Sequence, residues 1–477
     1  MNKIIDIFWR RWPYLVTGLL CIVAAFSLYK GFGEYILFAL IGIPALVFLM
    51  KRPVAVIVTQ IAYCSVIQFF TDNLGFNSAA IYFSDVLTLL IIVHIIMNFP
   101  TMGYKLKVLA IPGVFLLLIF VVHIIGSIYT KVDLINFIWG MRIYYRFPVF
   151  LVGCVMFINR KAFDVIWKLI VALVVVQVIV ASYQFFILGY DQDSIGGTFG
   201  LRGSGLLVQF FALALLIAYL RYTEKQCSAL TVWLVMIAGL YVGVINEGKA
   251  IFVFDIIIFV IIFFQNGISM KKIFWLILVA GLLLASNYFL GLIYPQFKDF
   301  FSLDAMNEYV TSESYGGIAI NRLNGPQYFS RYFDNMQDWF GVGLGNAAMS
   351  KYAVLQGDFY QRFHLTYYNW FYIAYVYAES GYLGLYLNIG FFVSFLLTAY
   401  RLRNKMSSSY TAFLIGMVFS CLLTICYNNS LLTEESVAFT YYILLGIPLA
   451  MAVNESQDYN YYPSRRNNYS PLAAGEN

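Results

Sequence analysis

Apolar stretches of about twenty residues follow one another along almost the whole of this chain, separated by short polar gaps. A bilayer core demands roughly that length of helix, because every backbone N–H and C=O must be paired within the segment. The pattern predicts an all-α polytopic membrane protein with about fourteen transmembrane helices, in a range of roughly twelve to fourteen. Composition agrees. Hydrophobic residues make up 61% of the chain and charged residues 11%, against about 25% charged in soluble proteins. The net charge of +6 does not point to nucleic acid, since the basic residues are scattered through loops instead of forming a patch.

Basic residues set the orientation, since cytoplasmic loops collect Lys and Arg. With the N-terminus inside, Lys3, Arg10, Arg11, Lys51, Arg52, Lys105, Lys107, Arg160, Lys161, Arg221, Lys225, Lys271, Lys272, Arg401, Arg403, Lys405, Arg465 and Arg466 are all cytoplasmic. That is eighteen of the thirty basic residues. Both termini come out cytoplasmic, and residues 1–453 read as a single transmembrane domain. One long outer loop, about 294–365, precedes the last three spans. It interleaves aromatic and charged residues, which predicts an ordered segment. Residues of about 366–378 are rich in Tyr and Trp and read as a helix in the outer interface, broken from the next span at Glu379-Ser-Gly381. The polar tail, 454–477, reads as a disordered cytoplasmic segment. None of the six cysteines falls in an outer loop, so no disulfide framework is expected, and no metal-ligand spacing is present.

The exceptions to the charge rule carry the functional signal. Arg142, Arg146, Arg202, Arg322, Arg331 and Arg362 fall on the outer side, as does Lys249. A guanidinium there costs insertion energy, and its planar fork binds phosphate bidentately. Arg142 and Arg146 stand four residues apart, on one helix face. They line a cavity wall or snorkel to lipid phosphate. Arg202 lies just ahead of a span, where headgroup anchoring is the plainer role, and Arg331 and Arg362 suit an ordinary surface. His364, the one outer histidine, is a candidate base or a common loop residue, with Glu379 as its competitor. Asp255, a buried acid in a span, is expected to hold a basic residue.

Several segments, in order and on one side, resemble the bacterial O-antigen polymerase and O-antigen ligase superfamily over residues of about 190–400. They are Gly196-Gly-Thr-Phe-Gly200 with Arg202, Gly248-Lys249-Ala250, Asn321-Arg322-Leu-Asn-Gly325, Phe340-Gly-Val-Gly-Leu-Gly345-Asn346, His364, and Glu379-Ser-Gly381-Tyr-Leu-Gly384. The chain departs from the ligase pattern where Trp370 and Phe371 stand in place of its polar pair, with Asn369 and His364 nearest. The resemblance implies a glycosyltransferase in the bacterial inner membrane with its active site facing the periplasm. It would transfer a glycan from undecaprenyl pyrophosphate to an acceptor sugar hydroxyl without a metal or cofactor. Its partners would be the lipid-linked oligosaccharide, membrane lipids and other polysaccharide-assembly proteins. In that scheme Arg202, Arg322, Arg142, Arg146 and Lys249 bind the pyrophosphate, and His364 or Glu379 is catalytic. An O-antigen ligase transferring glycan to lipid A-core is the alternative within this chemistry. A lipid-linked oligosaccharide transporter or flippase is the alternative outside it, although no internal repeat supports it.

Overall fold

The computed structural model describes residues 42, 44–201, 203–264, 270–294 and 320–461, and all the regular elements among them are helices. The chain divides into a unit of residues 1–56 and a unit of residues 57–477. In the first, the Arg52 guanidinium lies over the Phe48 ring, 4.8 Å from its centroid. All else below concerns the second.

Twelve helices follow in order: α1 (Pro53–Asn73), α2 (Phe83–Met102), α3 (Ala110–Tyr129), α4 (Leu134–Phe157), α5 (Arg160–Phe186), α6 (Ser204–Thr223), α7 (Ala229–Ile245), α8 (Ala250–Phe264), α9 (Met270–Ile293), α10 (Tyr372–Arg401), α11 (Ser408–Tyr427) and α12 (Glu435–Tyr461). Among the described residues nine helical stretches are long and apolar enough to cross a membrane. One of these, Ala80–Tyr129, is divided into α2 and α3 by the 3-10 turn Gly103–Leu109. Helices α7 and α8 are apolar but shorter. The molecule is therefore a polytopic helical membrane protein. The apolar stretch 14–29, one of the fourteen spans counted from sequence, lies outside the described residues, as does most of the next, 34–50.

Polar residues at the segment ends start and stop the helices. The side chains of Asn159, Ser228 and Ser407 accept backbone N–H bonds from Ala162, Thr231 and Tyr410, closing the first turns of α5, α7 and α11. Within the bundle, α12 is apolar on all sides, as a central helix must be. Its residues 436–453 are all buried, whereas only 11% of the best apolar window in Ile273–Ile293 is buried, leaving α9 on the periphery.

Side-chain bonds between distant segments define two ends. At one, Lys105 Nζ donates to Met156 O (3.2 Å) and Asn454 Oδ1 (3.1 Å), and Arg221 pairs with Asp164. This end gathers the turns read as cytoplasmic. At the other, Tyr129 donates to Asp334 (2.9 Å) and Trp139 to Met349 O (3.3 Å). This second end carries the described part of the long loop, residues 320–371, and is called the loop end below.

Three short helices, Gly325–Phe329, Asn335–Phe340 and Asp358–Phe363, organise the loop. The Asn335–Phe340 helix is closed by a capping box between Asp334 and Gln337. An edge-to-face cluster forms its core. Phe329 lies 5.1 Å from Phe359, 5.4 Å from Phe363 and 5.5 Å from Tyr368.

Two expectations are corrected. The segment 366–378 is not one interfacial helix. It is 3-10 turns up to Trp370 followed by the start of α10, and Ala374–Gly381 are buried. Its tyrosines face protein partners: Tyr372 donates to Asn388 Oδ1 (3.1 Å) and Tyr377 to Asp338 Oδ1 (2.5 Å). Aromatic density that suits a lipid interface here fills an interior. The break at Gly381 is present, with φ 63° and ψ −166° inside α10. The tail does not begin at residue 454 either, since α12 continues to Tyr461; residues 462–477 lie outside the described residues.

Candidate functional site

The glycine-rich run Gly341-Val-Gly-Leu-Gly345 is wedged into the loop end of the bundle. Its three glycines take positive φ, 74°, 86° and 87°. A Cβ on each would strike backbone of α10 (Ser380), α3 (Ser127) and α4 (Asn136) in turn, so only glycine fits. Gly126 and Gly140 give the matching clearance on α3 and α4, facing Phe340 and Gly345. Glu379 locks this wedge: its carboxylate accepts from Gly345 N (2.6 Å) and Ala347 N (2.9 Å) and is fully buried. Ser127 Oγ accepts from Leu344 N (2.9 Å), and Thr130 Oγ1 donates to Val342 O (2.7 Å). Both Glu379 oxygens are thus committed to backbone donors, which corrects its assignment as a base at an acceptor hydroxyl. It is a structural anchor.

Beside the wedge, Arg142 and Arg146 project from α4 into a network of carboxylates. Arg142 Nη2 lies 2.8 Å from Asp85 Oδ2 and 3.7 Å from Glu435 Oε1, and its Nε donates to Asp85 Oδ2 at 2.9 Å. Arg146 pairs with Glu435 and lies 3.9 Å from Asp85. Ser84 Oγ donates to the other Glu435 oxygen. Aromatic faces complete the cage: Arg142 sits 4.5 Å from the Trp139 ring centroid and 5.3 Å from Tyr82, and Arg146 sits 4.7 Å from Phe147. Both guanidinium groups are engaged by protein partners. Two carboxylates from α2 and α12 balance them.

Lys249 and Arg322 form a second basic group at the same end. Lys249 follows a tight turn in which Glu247 takes the left-handed conformation (φ 56°). Asn246 Oδ1 accepts from Gly248 N (2.9 Å), and Asn246 Nδ2 donates to Ser204 O (3.1 Å), fixing the turn against α6. The Lys249 ammonium lies 3.0 Å from Glu247. Enclosure by protein pushes it below the usual lysine range; Glu247 and Asp193 oppose that shift, and the nearby Arg322 adds to it. The same enclosure pushes the Glu247 carboxyl up, against the pull of Lys249. Arg322 lies between the Phe371 and Tyr427 rings, 6.0 and 5.9 Å from their centroids.

A single short segment, 427–435, ties the two groups together. It starts at Tyr427 beside Arg322, makes one helical turn over Ser430–Thr433, and ends at Glu435 on Arg146. Gln209 anchors it by donating to Asn428 Oδ1 (2.9 Å), and Asn429 does so by donating to Asn369 O (3.0 Å).

The other expected residues fall elsewhere. Arg202 lies outside the described residues. His364 is exposed at the end of a short helix, its Nδ1 3.0 Å from Gln361 O, and Arg331 and Arg362 are exposed too. Asp255 is buried in α8, and among the described residues it forms no ion pair, against the expectation that it holds a base. Sequence reading did not single out Asp85, Glu247, Glu434 or Glu435. Their signal was available, since each is an acid at the edge of an apolar run. Among the described residues no three His, Cys, Asp or Glu side chains gather as a metal site.

With this geometry in hand, comparison with known proteins adds no family: no family model matches the chain, and no curated protein resembles it closely enough to register.

Proposed function

We propose that the chain is a membrane glycosyltransferase that polymerises lipid-linked oligosaccharide repeats of a cell-surface polysaccharide at the outer leaflet of the inner membrane. The observation that carries this reading is the meeting of Lys249 and Arg322, from distant parts of the sequence, within one enclosed part of the loop end. A cation whose charge is disfavoured by burial gains most from an added anion. When a glycosidic bond to pyrophosphate breaks, negative charge grows on the leaving phosphate, and fixed cations in a water-poor site stabilise it. Lys249 and Arg322 are assigned that task, with the unplaced Arg202 as a third member. The order of segments that resemble O-antigen polymerases supports the same assignment.

The transporter reading draws its support from the other group, because intramembrane Arg–carboxylate networks also mark ion and substrate pathways. One assay separates the two. Purified protein supplied with undecaprenyl-pyrophosphate-linked repeats should yield a polymer ladder. Arg322→Ala should abolish it, a loss of about 10²–10³-fold in rate, and Arg322→Lys should only partly restore it because Lys lacks the bidentate fork. Full activity in Arg322→Ala would sink this assignment. Movement of the lipid-linked repeat across a vesicle membrane without polymer would favour the transporter.

A further inference from the structure

If the donor pyrophosphate sits on Lys249 and Arg322, the acceptor hydroxyl still needs a base, and neither residue expected from sequence supplies one at the site. Glu379 is buried beneath two backbone donors, and His364 stands exposed on the loop helices. The geometry points to Glu434 as the general base that removes the proton from the acceptor sugar hydroxyl, an assignment that rests on the glycosyltransferase reading.

Three observations support it. First, Glu434 is solvent-accessible, whereas its neighbour Glu435 is half-enclosed and held by Arg146 and Ser84. Adjacent carboxylates thus have different fates: one is neutralised in the network, the other is exposed. Second, Glu434 lies on the segment that joins the two basic groups. Six residues separate it from Tyr427, whose ring contacts Arg322, and one of the turns between is helical. The same short segment thus carries a ring against the proposed phosphate site at one end and the Glu434 carboxylate near the other. Third, surrounding protein and the Glu435 charge hold its carboxyl above the usual carboxylate range, while Arg146 and the Thr433 hydroxyl pull the other way. A carboxyl raised in this way is a better proton acceptor than one in bulk water.

The step balances without any further reagent. The acceptor hydroxyl oxygen attacks the anomeric carbon of the donor sugar, and its proton passes to a Glu434 oxygen as the bond forms. The bond from the anomeric carbon to the phosphate oxygen breaks, and undecaprenyl pyrophosphate leaves with the electron pair, its charge met by Lys249 and Arg322. Glu434 then returns the proton to water. The Trp139 and Tyr82 rings and the exposed Tyr352 near Tyr82 offer flat apolar faces for the acceptor sugar.

The test separates turnover from donor binding. Binding is read with undecaprenyl pyrophosphate, and turnover with lipid-linked repeats extracted from cells lacking this protein. Glu434→Gln keeps the shape but cannot take a proton. It should bind undecaprenyl pyrophosphate as the wild type does while polymerising about 10²–10⁴-fold more slowly. Glu434→Ala, checked by thermal melting, should show the same split and guards against misfolding of the first variant. Wild-type turnover in either folded variant, with Arg322→Ala still inactive, overturns the base assignment alone. Lost donor binding in both folded variants also overturns it, by moving Glu434 to the donor side. If the wild type makes no polymer from these repeats, the glycosyltransferase reading falls and takes the base with it.

Discussion

The two basic groups at the loop end look alike in sequence and differ in the folded molecule. Arg142 and Arg146 face two carboxylates from helices far away in the chain, and the four charges cancel. Lys249 lies beside Glu247, with Asp193 also acting on it, and aromatic faces lie around the Arg322 guanidinium. A charge network that closes on itself gives register to a bundle, since each member left alone would be a costly buried ion. The two groups thus differ in what surrounds them: a network of two arginines and two carboxylates in one, a mixed acid and aromatic setting in the other.

That contrast can be broken by measurement. The largest effect is expected at Arg146→Ala, which strands Glu435 and should cost about 3–5 kcal/mol, read as a fall in melting temperature or loss of folded protein. A double variant, Arg146→Met with Glu435→Gln, should recover most of that loss. Arg322→Ala should melt close to the wild type, and equal destabilisation at both sites would erase the distinction. Next in size is Glu379→Gln, which turns an acceptor of two backbone N–H groups into one with a single acceptor oxygen. It should cost about 1–3 kcal/mol through the unsatisfied donor, with undecaprenyl pyrophosphate binding retained. The smallest effect belongs to His364→Ala. On an exposed helix end it should stay within about 0.5 kcal/mol of wild-type stability and leave polymer output intact. Loss of polymer there would return the base to His364 at the expense of Glu434.

Much of this architecture is legible in the chain before folding. Apolar length locates the helices from α1 onward. The break after Glu379-Ser is likewise visible as Gly381. What stays hidden depends on tertiary partners. The tyrosines of 366–378 read as an interfacial belt because composition cannot distinguish lipid from an aromatic-lined interior. Glu379 reads as a base because nothing local reveals that Gly345 and Ala347 turn their N–H groups toward it. The partners of Arg142 and Arg146 stay hidden for the same reason, since the acids that engage them come 57 residues earlier, at Asp85, and 289 later, at Glu435. Glu434 and Glu435 adjoin in sequence, and only their neighbours in space give them separate roles.

The glycine wedge also fixes an order of assembly. Leu344 bonds to Ser127 across 217 residues of sequence. At roughly 5–20 residues per second, a ribosome takes about 10–40 s to make that stretch. Throughout that interval the cleft between α3 and α4 stands in the bilayer with its small residues, Gly126, Ser127 and Gly140, lacking the backbone that will fill it. Glu379 is made later still, so the wedge can be clamped only once the start of α10 has emerged. The end of the molecule that holds the proposed chemistry is therefore the last to close, and a chain cut short before α10 carries the early helices without a site.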